Sequence, residues 1–487
     1  MKFTYIVRTF PNLSETFILN QITGLIDRGY NIDIISLNKP KNDIHHEKVY
    51  EYDLFKKTQY ISWTRSQLGF EFNDRLLSSL FLTDIIHSHF ASWPTEFALN
   101  LFEKFNIPFL FTAHAYDIFV NPDIFTLQKK INSALKVITI SDYNKDYLTN
   151  LFGKDLSNKI NVIRCGVELS KFKYLERHEK KFIKILFVGR LVEKKGCYYA
   201  IEAFKKALKK NNNLELSIIG DGYLKEDIHH LINASDLKSK ISMLGPQTQQ
   251  NVLKEMERAD IFFLPSLTAA NGDREGIPIS ILEAQAMGLP VISTYHSGIP
   301  EVINNGENGF LVPERDVDAM AEKLILLASQ HELRNRMGEI GRNKIKHFYN
   351  HEIELDNLEN IFNKLLKNSP LLSGIEQTHG DAIKQRLDKI AAHIRELDNN
   401  ILKKDKEIKQ KDGQINYLQN RLKSIQNTIS YKIYYLFIRN IFNFIKLLFR
   451  YIKLSILLFL SIFPIIILLF LFSIYYLSGH LKYLIRD

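Results

Sequence analysis

Short apolar runs alternate with amphipathic stretches through the N-terminal third of the chain. The runs that predict strands span residues 3–11, 31–37, 84–90, 108–117 and 136–141. After the first run, apolar positions from Phe17 to Leu25 recur at helical spacing, and Ser14 is predicted to cap the helix that they form. Repeated strand, helix, strand units predict a parallel sheet covered by helices.

The same pattern returns in the second third of the chain. Its predicted strands span residues 185–188, 214–222, 241–247 and 260–266, and helical patterns separate them. The chain of 487 residues therefore fits two Rossmann-like α/β domains, at 1–165 and 181–366, joined by a linker at 166–180 and followed by an extension.

The extension begins with a heptad repeat. Two heptad positions recur seven times between Ile383 and Ile429, almost always as Ile or Leu, with Lys404 and Lys411 as exceptions. This pattern predicts a coiled coil at 381–430 and hence a homodimer, and a solitary solvated helix is the alternative.

An aromatic and basic stretch follows the heptads. Residues 431–453 predict an amphipathic helix in a membrane interface. Residues 454–477 carry no charge over 24 positions, which suffices to span a bilayer. Pro464 allows a re-entrant hairpin instead. A buried helix in a soluble protein is the alternative.

Charge is concentrated in this extension. Residues 381–487 contain 18 Lys and Arg against 8 Asp and Glu, an excess equal to the net charge of +10 of the whole chain. The preceding domains are neutral, so the basic balance does not indicate nucleic acid. Cations before the apolar segment place those domains in the cytoplasm, and no signal peptide is expected. Two cysteines fit a reducing compartment.

Candidate chemistry lies in the segment from Glu275 to Gly288. Glu275 sits in a Gly-Pro loop, and Glu283 lies in a helix that Pro278 is predicted to open. Carboxylates accept from sugar hydroxyls, and free amides near Gly276 and Ile277 donate to phosphate oxygens. The segment thus suits a sugar nucleotide, although solvated glutamates on an ordinary helix are the alternative.

A cationic turn follows the strand at 185–188. Arg190 offers a forked contact and Lys195 a point charge to a diphosphate at the end of that strand. A solvated basic turn is the alternative.

Together these motifs carry a family resemblance. GRLVEKKG, GDG, LGPQTQQ, LPS, REGIPISILEAQAMGLPVIST, SGIPEVI and NGFLVP follow one another, and TFPNLSETFI precedes them. Over residues 1–365 the chain resembles retaining GT-B glycosyltransferases of the family 4 type. The N-terminal motif is similar to the subset for bacterial exopolysaccharides, including colanic acid. The resemblance implies a GT-B fold, with two Rossmann-like domains facing a cleft, followed here by the coiled coil and the C-terminal hydrophobic membrane segment.

The resemblance also implies roles for residues of the second domain. Glu283 would bind the ribose hydroxyls and Glu275 a hydroxyl of the donor sugar. Arg190 and Lys195 would hold the diphosphate. The backbone at Leu244 and Gly245 would lie near the base.

In the first domain, His114 resembles the histidine that faces the donor sugar, with Asp117 shortly after it. A structural histidine is the alternative. The family's paired glycines after the first strand are absent, but the cap at Ser14 is expected to aim amides at the donor. His87 and His89 are predicted to face opposite sides of their strand, which argues against a metal pair. No metal or cofactor is expected.

The implied reaction moves a glycosyl group from a nucleoside-diphosphate sugar to a saccharide or lipid-linked oligosaccharide acceptor, with retention and same-face attack. The expected location is the cytoplasmic face of the bacterial inner membrane. A membrane-bound coiled-coil scaffold with a non-catalytic sugar-nucleotide-binding module is one alternative, and a GT-B phosphorylase is another.

Overall fold

Two parallel sheets dominate the structure. The computed structural model describes residues 2–40, 45–61, 83–234 and 237–368, together with Leu80 and scattered helical positions between 388 and 446. One compact unit, formed by residues 1–61 and 79–383, contains both sheets. The other unit comprises 62–78 and 384–487, and its described residues are helical.

The first sheet has seven strands in the order β3-β2-β1-β4-β5-β6-β7. They are β1 (Lys2–Thr9), β2 (Asn31–Asn38), β3 (Thr58–Tyr60), β4 (Ile85–His89), β5 (Phe109–Ala113), β6 (Val137–Thr139) and β7 (Ile160–Val162). The central strand β1 is buried from Phe3 to Val7 without interruption, because helices cover both faces of the sheet.

Seven helices accompany this sheet in the described residues. They are α1 (Thr16–Asp27), α2 (Glu47–Glu51), α3 (Leu54–Lys57), α4 (Trp93–Phe105), α5 (Tyr116–Phe119), α6 (Ile124–Ser133) and α7 (Asp142–Phe152). Asp123 and Ser141 cap α6 and α7 by accepting from the amides of Thr126 and Asn144.

The second sheet has six strands in the order β10-β9-β8-β11-β12-β13. They are β8 (Ile183–Val188), β9 (Leu214–Ile219), β10 (Ile241–Gly245), β11 (Ile261–Phe263), β12 (Val291–Thr294) and β13 (Gly309–Val312). Its helices are α8 (Cys197–Leu208), α9 (Lys225–Ala234), α10 (Gln249–Arg258), α11 (Ile279–Ala286), α12 (Ile299–Val302), α13 (Val317–Ser329) and α14 (His331–Phe348). The α/β prediction with two parallel sheets is confirmed.

A last helix, α15 (His351–Asn368), crosses from the second domain to the first. Its residues Leu355, Leu358 and Phe362 belong to the core of the first domain, and the rings of Phe362 and Phe3 lie 4.4 Å apart. Burying this apolar face contributes about 1.5–3 kcal/mol for each large side chain, which fixes the return of the chain.

Glu301 of α12 links the second domain to the first. Its carboxylate accepts from the amides of Asp142 and Tyr143, at 3.1 and 2.9 Å, in the first turn of α7. It also accepts from Arg164 Nη2 at 2.8 Å. The unsatisfied amides of a helix start and a guanidinium thus converge on one carboxylate across the two domains.

Two predicted helix starts are wrong. The α1 helix begins at Thr16 with Glu15 at its N-cap and no side-chain cap, while the Ser14 hydroxyl bonds to Asn12 instead. Pro278 precedes α11 in extended conformation, and the helix begins at Ile279. In both cases the composition marks the loop, but the backbone turns one or two residues later.

Much of the predicted extension falls outside the described residues. Described helical positions at 402–404 and 406–416 lie within the predicted coiled coil, whose pairing stays a prediction. Residues 454–477 are not described, and of 431–453 only isolated helical positions are. Among the described helices, none combines the length and apolarity that crossing a membrane requires.

Candidate active site

The cationic turn after β8 is held by backbone packing. Gly189 donates to the carbonyl of Ile219 at 3.0 Å, and a 3-10 turn spans Glu193–Lys195. Gly196 closes the turn with φ +68°, and an added Cβ would lie 1.9 Å from the Pro265 carbonyl oxygen. Only glycine permits this approach, so the turn is pressed against the end of β11.

Lys195 and Glu275 form a buried ion pair at this turn. Their Nζ and Oε1 atoms are 2.8 Å apart, and the two side chains are 12% and 8% exposed. Burial raises the pKa of Glu275, but Lys195 and Lys194 outweigh it and lower that pKa to about 2. The carboxylate is therefore charged at neutral pH and faces a cation.

The loop that carries Glu275 is pinned on both sides. Lys194 Nζ donates to Asp273 Oδ1 at 2.9 Å and also to the Arg274 carbonyl, so it holds the loop at two neighbouring residues. The Glu275 amide donates to His296 Nε2 at 3.0 Å, so the His296 proton lies on Nδ1, which donates to Glu314 at 2.6 Å. These partners, which sequence reasoning missed, give Glu275 one fixed position.

Two backbone amides beside this pair have no protein acceptor. Gly276 and Ile277 precede α11 and are buried, yet neither amide donates to any acceptor in the described part of the chain. Buried amides normally find partners. The sequence placed these donors in the first helical turn, whereas they lie in the loop before it, still next to Glu275.

Glu283 lies apart from the ion pair, in a crevice between the domains. The crevice is small and open on one side, and it is lined by Thr16, Phe17, Asn20, Gly166, Val167, Glu168, Phe172, Gln249, Ile279 and Glu283. Burial raises the pKa of Glu283 to about 7, against the opposing effects of the Gln249 side chain and the Lys171 charge. In the described part of the chain Lys195 contacts Glu275 and not Glu283, so the two predicted glutamates do not share this partner.

Arg190 is exposed and has no side-chain partner in the described residues. Its charge acts across the domains on Glu15, at the N-cap of α1. Burial raises the pKa of Glu15 to about 7, while Asn12, Arg190 and Arg8 oppose that rise. No pattern in the sequence distinguishes Glu15, because an acidic residue just before a helix is common whatever its function.

His114 faces the other side of the site from the end of β5. It is 7% exposed, and its ring lies 4.8 Å from that of Phe17, which lines the crevice. Burial lowers its pKa to about 3, so the imidazole is neutral. Asp117 accepts from the amides of His114 and Ala91 and so supports these two turns, while its contact with a donor stays a prediction.

The prediction that His87 and His89 face opposite sides is wrong. Side chains two residues apart on a strand share a face, and these rings stack with centroids 4.7 Å apart. His89 Nδ1 lies 3.1 Å from His114 Nε2, and His87 Nε2 bonds to Thr112. His89 is therefore a neighbour of the predicted donor-facing histidine.

At the edge strand β10, Leu244 and Gly245 are partly exposed. Gly245 accepts from the Gly220 amide at 3.0 Å, and an added Cβ there would meet nothing within 4 Å. The backbone thus borders open space, as a base would require. Among the described residues, no group of three His, Cys, Asp or Glu side chains is placed to hold a metal ion.

The architecture defines the class of the protein. Two parallel α/β domains are joined by a returning helix, and charged loops from the ends of β1 and β8 act on each other across a crevice. This is the GT-B arrangement, with its candidate site at the carboxyl ends of the strands.

Comparisons with known proteins identify the family. Residues 14–171 match the profile described as Glycosyltransferase Family 4, and residues 168–344 match Glycosyl transferases group 1. The amylovoran biosynthesis glycosyltransferase AmsK of Erwinia amylovora is 32% identical over 386 residues, covering 67% of this chain and 91% of the relative. The chain belongs to this glycosyltransferase family.

Other relatives and solved structures agree. The putative colanic acid biosynthesis glycosyltransferase WcaL of Escherichia coli is 29% identical, over 72% of this chain and 97% of the relative. A glycosyltransferase from Rickettsia africae superposes with a TM-score of 0.60 at 22% identity, covering 76% of this chain and 99% of the other. Anabaena HepE in complex with UDP gives 0.62 at 15%, covering 75% and 100%. These structures support the fold.

We predict that Lys195→Met destabilises the protein by about 3–5 kcal/mol at pH 7, because it leaves the Glu275 carboxylate buried without its cation. The pKa of Glu275 lies below its unfolded value, so the pair stabilises above about pH 4.5 and this contribution is lost as pH falls toward 2. The free energy of unfolding should be measured with urea at several pH values. Its difference between wild type and variant should shrink as pH falls through that window.

Lys206→Met is the matched control, because Lys206 pairs with Asp318 at the surface, where its side chain is 46% exposed. We expect it to cost less than about 1 kcal/mol. Equal losses of unfolding free energy in the two variants would contradict the assignment of Lys195 and Glu275 as a buried, charged pair.

Proposed function

We propose that this glycosyltransferase moves a sugar, with retention, from a nucleoside-diphosphate sugar to a saccharide acceptor in bacterial surface polysaccharide synthesis. The observation that carries the proposal is the Lys195–Glu275 pair beside the two partnerless amides of Gly276 and Ile277. A buried cation and free amides suit a phosphate, and a fixed carboxylate suits a sugar hydroxyl.

Charge development explains how such a site accelerates transfer. Breaking the anomeric C–O bond places negative charge on the leaving diphosphate. Lys195, Arg190 and the amides stabilise the transition state, in which this charge develops, more than they stabilise the uncleaved donor. This difference lowers the barrier. The acceptor attacks from the same face, and a donor phosphate oxygen takes its proton. Glu275 holds the donor sugar in this proposal, and Glu283 the ribose.

The relatives support the substrate class. AmsK, WcaL and the Staphylococcus aureus protein CapM carry names of amylovoran, colanic acid and capsular polysaccharide biosynthesis, respectively. HepE, which shares the fold, has been crystallised with UDP and with UDP-glucose. We propose a nucleoside-diphosphate hexose as donor here, with no metal or other cofactor required.

The first test is donor binding. A panel of UDP-, GDP-, ADP- and dTDP-sugars is screened by thermal shift, and one class is expected to stabilise the protein by about 2.7 kcal/mol at 100 times its dissociation constant. Arg190→Ala should weaken binding of the nucleoside diphosphate by about 10–100-fold, the loss typical of a charged hydrogen bond.

Arg258→Ala serves as control, because Arg258 lies in the same domain with its side chain 64% exposed and pairs only locally with Glu255. Turnover with the best donor and an analysis of the product's anomeric configuration by NMR complete the test. Lack of binding across the panel would contradict the proposed function. A product with inverted anomeric configuration would contradict the retaining mechanism alone.

Donor binding should also depend on pH through Glu283. Its pKa is about 7 in the unliganded protein, and ribose hydroxyls favour the charged carboxylate. Binding below pH 7 must therefore release a proton, so affinity rises from pH 6 toward 7.5 and then levels off. Calorimetry in buffers of different ionisation enthalpy measures this release.

The measurement is made in a Glu15→Gln background, because Glu15 has a similar pKa and the incoming diphosphate shifts it in the opposite direction. Adding Glu283→Gln is expected to abolish the proton release. The same release with and without that change would argue against Glu283 as a ribose ligand.

The C-terminal extension is proposed to hold the enzyme, as a homodimer, at the cytoplasmic face of the inner membrane, where a lipid-linked acceptor is available. The support is the sequence: heptads, then cations, then 24 uncharged residues. The described cores of the two domains are built from residues no later in the chain than Leu365.

We therefore expect a chain ending at residue 380 to leave the membrane fraction and still bind donor. A chain ending at 350, which lacks α15, should fail to fold, because the first domain loses Leu358 and Phe362 from its core. Fractionation, gel filtration and thermal shift compare the two. Membrane retention of the 380-residue chain would contradict the proposed anchor.

A further inference from the structure

A continuous chain of buried hydrogen bonds leads away from His114. His114 Nε2 lies 3.1 Å from His89 Nδ1, and His89 Nε2 lies 3.0 Å from Gln21 Oε1. Gln21 Nε2 then donates to Glu354 Oε1 at 3.0 Å. All four residues are at most 7% exposed. The chain joins the predicted donor-facing histidine to the returning helix α15, across 333 residues of sequence between Gln21 and Glu354.

The far end of the chain sets its direction. The other Glu354 oxygen accepts from the Gly166 amide at 2.7 Å, and His351 Nδ1 lies 3.3 Å from it. A carboxylate surrounded by donors offers only acceptor positions, so Gln21 must turn its NH₂ group toward Glu354. The Gln21 oxygen is then fixed as the acceptor for His89, and also for the Tyr5 hydroxyl at 3.1 Å.

Each hydrogen now follows from its neighbour. His89 Nε2 must carry a proton to donate to Gln21, so Nδ1 of the neutral ring holds a lone pair. That lone pair accepts from His114, whose proton therefore lies on Nε2. Burial lowers the pKa of both rings, to about 3 for His114, which keeps them neutral. The remaining ring nitrogen of His114, Nδ1, has a lone pair and no partner in the described residues.

We propose that His89, Gln21 and Glu354 act as positioning residues that fix His114 as a hydrogen-bond acceptor at Nδ1, so that the site selects a donor sugar presenting a hydroxyl there. The selection rests on the proposed function. A hexose hydroxyl donates to the lone pair. We place the C6 hydroxyl of the hexose at this lone pair as part of the proposal. The C6 carboxylate of the corresponding hexuronate has no hydrogen to give and is repelled, and a site built for one hydrogen bond rejects the partner that cannot make it.

The tautomer is tested first, without any ligand. NMR of protein with ¹⁵N-labelled histidine should show a protonated Nε2 and an unprotonated Nδ1 for His114, assigned by its loss in His114→Gln. His89→Phe keeps a ring of similar size but removes the acceptor, so the fixed tautomer should be lost. His87→Phe is the matched control: it lies on the same strand, is equally buried and bonds to Thr112 outside the chain. It should leave the His114 signals in place.

Donor selection is tested with two pairs, UDP-glucose with UDP-glucuronate and GDP-mannose with GDP-mannuronate. For the pair that binds, the hexose should exceed the hexuronate in kcat/KM by about 100-fold or more, and His89→Phe should narrow this ratio at least about tenfold. Affinity for the nucleoside diphosphate alone should stay within about twofold, since the chain does not touch that part of the donor.

These outcomes separate the two proposals. If no nucleotide sugar binds, the proposed function fails while the tautomer assignment stands or falls on the NMR signals. If donors bind but His114 carries its proton on Nδ1, or if His89→Phe selects as strongly as the wild type, the inference is wrong. A His87→Phe variant that behaves like His89→Phe would show a general packing effect and would also overturn it.

Discussion

Lys195 and Glu275 bury opposite charges next to each other, and the candidate site is arranged around that contact. Either charge alone in this position would cost several kcal/mol, because little water reaches it. The 3-10 turn after β8 and the loop before α11 must therefore be in place together. Gly196 permits the close approach to Pro265, and His296 with Glu314 holds the loop from the other side.

The two domains present different kinds of groups at the candidate site. On the second domain, charges and free amides gather near Lys195, which suits the concentrated charge of a diphosphate. On the first domain, His114 and His89 are neutral and hydrogen-bonded, which suits an uncharged sugar. Glu15 is the exception on that side, and its position opposite Arg190 places a titratable carboxyl where the family's glycines are absent.

Local patterns predicted the fold well, because apolar runs at strand length are a property of neighbouring residues. Lys195 and Glu275 were also within reach, since they lie in the loops that follow β8 and β11, where a parallel sheet gathers its ligands. The helix starts at Ser14 and Pro278 were wrong by one or two residues, a shift too small for composition to resolve. For His87 and His89 the information was present, but the face rule for strands was misapplied.

Other features depend on contacts between distant parts of the chain. Gln21 contacts Glu354 only because α15 returns to the first domain, and no local pattern in the sequence predicts that contact. The partnerless amides of Gly276 and Ile277 likewise appear only when every neighbouring acceptor has been located. A sequence shows which groups are available, while the structure shows which of them are left without a partner.

Glu301 has a consequence for the working cycle of the enzyme. Its carboxylate is held by the first turn of α7 and by Arg164, all on the opposite domain. Any swing that widens the crevice must break these charged contacts and hydrate the groups again. Dissolved salt weakens such attractions, so a higher ionic strength would lower the free energy needed to part the two domains at this contact.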